Sequence, residues 1–116
     1  MRGMKKTAAV MAVFIVALPL FAQSKLYEDA TRLGAILSDL ESHSGLGAAA
    51  WKVSSHEAYS LALRIFTTAG TKAARELRAH VRQMRDAADK GDLDGARKHL
   101  SEAKPFLDAV LQASAK

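Results

Sequence analysis

Apolar positions recur along most of this chain with a helical period. From Lys25 to about His43 they fall at Leu26, Ala30, Leu33, Leu37 and Leu40, with Ile36 alongside. That is the i, i+3, i+4, i+7 recurrence of one helix face. The charged residues Glu28, Asp29, Arg32, Asp39 and Glu41 lie mostly off the stripe. Ser44-Gly45-Leu46-Gly47 follows and predicts a stop, because glycine accepts the left-handed geometry of a C-cap. Ala48–Val53 reads either as a helical turn or as a packed loop with Trp51 as a plug over the bundle end. Ser54 with Glu57 three residues on has the spacing of a capping box and predicts the start of a second helix, running to about Ala69. Its Leu61, Ala62, Leu63, Ile65 and Phe66 cover more than one stripe, which predicts deep burial.

Gly70 predicts the next stop and Thr71 the next N-cap. Ala74, Leu77, Val81, Met84 and Ala88 form the core face of a third helix. Lys90-Gly91-Asp92 predicts a stop followed at once by a new N-cap at Asp92. The fourth helix turns Leu93, Ala96, Leu100, Ala103, Leu107 and Val110 inward, with Pro105 expected to kink or divide it. No window alternates as a strand does. Four amphipathic helices joined by short loops predict an all-α, up-down-up-down antiparallel four-helix bundle.

The first 22 residues are of another kind. Arg2, Lys5 and Lys6 precede an unbroken apolar run from Ala8 to Leu18, and Leu20-Phe21-Ala22 offers a small residue for cleavage. This is the pattern of a bacterial secretory signal peptide, so residues 1–22 are expected to be removed and residues 23–116 to form the bundle domain. Cleavage after Ser24 is the other register. The apolar run is shorter than the ~20 residues of a membrane span. The expected location is periplasmic or secreted, with no transmembrane segment in the mature chain.

Export changes the meaning of the charge. The whole chain carries +5, but three of its 17 basic residues and none of its 12 acidic ones precede residue 23, leaving +2. That balance gives little support for nucleic acid as a partner. The chain has no cysteine, so the domain must stand on helix packing without the disulfides common in small exported proteins. A core of this size also makes self-association, as a homodimer, an expectation.

Three groups of residues could carry chemistry. Arg75, Arg78, Arg82 and Arg85 recur at spacings of three, four and three, with Lys72 extending the row. They form a basic ridge on the third helix, beside its apolar face, where only Glu76, Asp86 and Asp89 oppose it locally. Arginine forks suit carboxylates and phosphates, so this ridge is the expected binding surface for an acidic protein partner or an anionic surface in the envelope. The bland reading is a solvated helix face paired to acids of a neighbouring helix.

The histidines His43, His56, His80 and His99 all fall in one half of an up-and-down bundle. None forms an i, i+3 or i, i+4 pair with another ligand type on a core face. His80 and Met84 are four apart and face the same way; with His99 they are the expected ligands of the alternative function, metal or haem binding. His56-Glu57 is half of a zinc-protease motif whose second histidine position is Ser60. Asp89, Asp92 and Asp94 resemble a calcium loop, but placing Gly95 at its sixth position puts Lys90 at the first, where an oxygen ligand is required. There is no nucleophile arrangement and no glycine-rich phosphate loop, so no enzymatic activity and no obligatory cofactor are expected.

The segment from Met84 to Leu111, with Ala87-Ala88-Asp89-Lys90-Gly91-Asp92-Leu93-Asp94-Gly95-Ala96-Arg97 at its centre, resembles the periplasmic b-type cytochrome four-helix bundles. The resemblance covers under a third of the chain. It implies a four-helix bundle with haem held by a methionine early in the first helix and a histidine late in the fourth. Here the first helix contains no methionine, and no histidine follows His99.

Overall fold

The computed structural model describes residues 20–43 and 45–114, with side chains from residue 22 onward. It contains four helices: α1 Leu20–Ser42, α2 Ala48–Ala69, α3 Lys72–Asp89 and α4 Leu93–Ser114. No strand occurs among the described residues. Each helix packs on its chain neighbours, and α1 closes the ring against α4. The expected four-helix architecture is therefore present, built around Leu33, Leu37, Trp51, Ile65, Leu77, Val81, Met84 and Leu100 in the fully buried centre. None of the four helices is long and apolar enough to cross a membrane. The expected signal segment lies outside the described residues up to position 19.

Local chemistry accounts for most of the boundaries. The Thr71 hydroxyl accepts from the Ala74 N–H at 3.2 Å and caps α3. Gly70 closes α2 at φ 64°, a left-handed conformation that glycine enters without a Cβ penalty. The α3–α4 connection is a Schellman turn: Asp92 N–H donates to Ala87 O at 2.9 Å and Gly91 N–H to Ala88 O at 3.0 Å, with Gly91 at φ 78°. Asp92 then caps α4, its carboxylate accepting from the Gly95 N–H at 3.0 Å.

Two boundary expectations need correction, and a third in part. Helix α1 is already helical at Leu20, the first described residue, upstream of the apolar stripe that opens at Leu26, and no glycine or proline between Leu20 and Lys25 interrupts it. Helix α2 begins at Ala48, six residues before the expected capping box, with Gly47 as N-cap. The run Ala48-Ala49-Ala50 has high helix propensity, and Trp51 anchors it in the core at 0 % exposure. Glu57 accordingly turns away from Ser54 and accepts from Arg32 Nε of α1 at 3.1 Å. Helix α4 runs undivided through Pro105, so of the two expected effects, kink or division, division does not occur. Pro105 and Ser101, whose carbonyl loses its helical partner, are both exposed, so water can take over that hydrogen bond.

One buried carboxylate ties α1 to α2. Asp29, 4 % exposed, accepts from Arg64 Nη2 at 2.9 Å and Nε at 3.3 Å. That hydrogen bond and the Asp29 charge hold the Arg64 pKa above its ordinary value. Lys104 of α4 reaches Glu41 of α1 at 2.7 Å and closes the ring on the other side.

Candidate functional site

Helix α3 presents two flanks, and the candidate residues divide between them. On the α2 side, Arg78 lies over the Phe66 ring at 4.8 Å and Arg85 over the Tyr59 ring at 4.3 Å. Both pairs are spaced by seven residues, so the two helices meet in antiparallel register with cation on ring at each step. Arg85 also donates to Asp86 at 3.0 Å. The basic ridge is thus not uniform: two of its members are committed to the α2–α3 seam. Lys72, Arg75 and Arg82 remain exposed, and no carboxylate among the described residues lies within ion-pair distance of them.

On the α4 side, His80 meets His99 and Glu102. His99 Nδ1 is 3.0 Å from Glu102 Oε1 and His80 Nδ1 is 3.4 Å from the same oxygen. The ring centroids of the two histidines are 6.4 Å apart. One ligand atom from each of the three residues can be chosen so that all lie within 4.8 Å of one another. His80 is stacked on Phe106, with rings 9° from parallel and centroids 5.5 Å apart. Phe106 and Glu102 are four apart on α4, and Glu102 and His99 three apart, so all three project from one face. His80 Nδ1 is enclosed and has no hydrogen bond: its approach to Glu102 lacks the alignment of one.

Of these three residues, His80 and His99 are among the ligands expected from the sequence and Glu102 is not. Its signal is the His99-x-x-Glu102 spacing, which is an i, i+3 pair of two ligand types. That pair sits on the boundary of α4 and not on its core face, so the apolar stripe does not single it out. Met84 lies one turn along from His80 and is 0 % exposed within the apolar core. The remaining histidines are apart from this group. His56 Nε2 is 2.8 Å from Asp89 Oδ1, joining α2 to α3, and His43 Nδ1 is 2.8 Å from the Asp39 carbonyl oxygen one turn back. The three aspartates around Gly91 are each engaged: Asp89 with His56, Asp92 as N-cap, Asp94 with Arg97 at 3.4 Å.

Between α1 and α2 a shallow depression is lined by Arg32, Ala35, Ile36, Asp39, Ser54 and Glu57. Its cation and one of its carboxylates, Arg32 and Glu57, satisfy each other. No family model matches this chain, and no curated protein or solved structure does so either.

Proposed function

We propose that this protein is an exported, non-enzymatic helical bundle that works by binding an acidic protein partner on the outer face of α3. Arg75 and Arg82 carry the proposal. Among the described arginines they alone have neither a carboxylate nor an aromatic ring as partner. They are seven residues apart on one exposed face, about 10 Å along the axis, with Lys72 at its N-terminal end. Two unpaired forks at that distance suit two carboxylates on a partner surface. Export rests on the basic and apolar N-terminal segment, and places the partner in the bacterial envelope.

The test is capture from an envelope extract on the immobilised chain, compared with the Arg75→Glu/Arg82→Glu double variant. The wild type retains a partner that elutes as salt rises, and the variant loses it while keeping its helical circular dichroism. Undiminished capture by the variant overturns the reading. Co-sedimentation of the wild type with anionic phospholipid vesicles, in the absence of any retained protein, reassigns the face to a lipid surface.

A further inference from the structure

We infer that His80, His99 and Glu102 form a site for one divalent transition-metal ion of the zinc, copper and nickel class, held between α3 and α4. The inference is independent of the basic face.

Ligand atoms about 2.0–2.1 Å from a tetrahedral zinc ion stand about 3.3 Å from one another. Glu102 Oε1 lies 3.0 Å from one histidine Nδ1 and 3.4 Å from the other, so the carboxylate already has the spacing that an ion would impose. The ligands come from two helices joined by the tight Gly91-Asp92 turn, whose Schellman bonds and Asp92 cap fix how the helices face each other. The stacked Phe106 ring holds the His80 imidazole in plane, a supporting contact of the kind that orients metal ligands.

The orphaned nitrogen is the second observation. Without an ion, Glu102 serves His99 and leaves His80 Nδ1 enclosed and unbonded, a desolvated polar atom with no compensating partner. A bound cation would accept a lone pair from each imidazole and from the carboxylate, satisfying all three. Two imidazoles and one carboxylate are a nitrogen-rich set suited to zinc, copper or nickel, whereas calcium and magnesium prefer all-oxygen shells. Three protein ligands leave a fourth position open to water or to a donor from elsewhere. All three side chains are partly exposed, at 23 %, 26 % and 41 %, so an ion can enter without the bundle opening.

The experiment is titration of the untagged chain with Zn²⁺ in a calorimeter and with Co²⁺ in a spectrophotometer. One ion binds per chain, Co²⁺ develops the visible ligand-field absorption of a low-coordinate site, and saturating Zn²⁺ raises the melting temperature. Loss of a supporting contact costs metal sites about 10–100-fold in affinity, so Glu102→Gln and His99→Ala each weaken Zn²⁺ binding by at least that range. The Glu102→Gln change is isosteric and guards against misfolding as the cause. The His43→Ala/His56→Ala double variant keeps the site. Absence of saturable Zn²⁺ and Co²⁺ binding overturns the inference, as does binding that survives both ligand variants or disappears in the His43/His56 variant.

Discussion

The two flanks of α3 carry the same kind of residue pattern and reach opposite conditions. Toward α2, Arg78 and Arg85 each find an aromatic ring, and the seam is electrostatically complete. Toward α4, two imidazoles converge on one oxygen of Glu102, which is hydrogen-bonded to His99 alone, and His80 Nδ1 is left without a hydrogen bond. Both seams consist of half-buried polar groups at the rim of the core. Packing explains the first fully and the second only in part. Helical spacing alone does not distinguish the two flanks; the partners that each side chain finds do.

That contrast can be broken experimentally, and the largest effect should come from the completed seam. Phe66→Ala removes a half-buried ring and the support beneath Arg78, and should cost about 2–3 kcal/mol, below the 3–5 typical of fully buried rings. Urea unfolding measures it; a loss under 1 kcal/mol would mean that the seam contributes little. On the other flank the sign reverses. His80→Leu replaces an unbonded buried nitrogen by apolar volume, and should leave metal-free stability unchanged or raise it by about 1 kcal/mol, while abolishing stabilisation by Zn²⁺. Marked destabilisation of the metal-free protein would show that the imidazole is satisfied as it stands.

The smallest effects separate the ridge residues from one another. Arg78→Ala should cost about 0.5–1 kcal/mol through its lost ring contact. Arg82→Ala, exposed and without a partner among the described residues, should stay within about 0.5 kcal/mol. Equal values in parallel melts would erase the distinction between committed and free arginines on which the binding face depends. Ser55→Ala, at a 0 % exposed position whose hydroxyl has no partner, should be neutral or stabilising by a similar amount.

Much of the fold is legible in the sequence because its signals are local. Thr71, Gly70, Gly91 and Asp92 perform the capping and turn roles that their chemistry predicts, and the buried positions of α3 are the five of its apolar stripe. The failure at the start of α2 has a specific cause. Ser54 and Glu57 have capping-box spacing, but residues three apart are also neighbours on any helix face. Only the approach of Arg32 from α1 decides where Glu57 points. The site shows the same limit. The periodicity marks Arg75 to Arg85 as one ridge, yet Tyr59 and Phe66 on another helix determine which arginines are used up. Glu102 gains its significance from His80 across the α3–α4 seam, a relation that no spacing along α4 reveals.

The burial of Trp51 has a practical consequence. It is the only tryptophan in the chain, fully enclosed near the start of α2, with the Arg97 guanidinium 5.7 Å from its ring. Arg97 belongs to the first turns of α4, so this single indole lies beside that end of the helix. The protein therefore carries its own fluorophore. Unfolding of the bundle should move its emission to the red, and movement of the first turns of α4 should register in its intensity, with no added label.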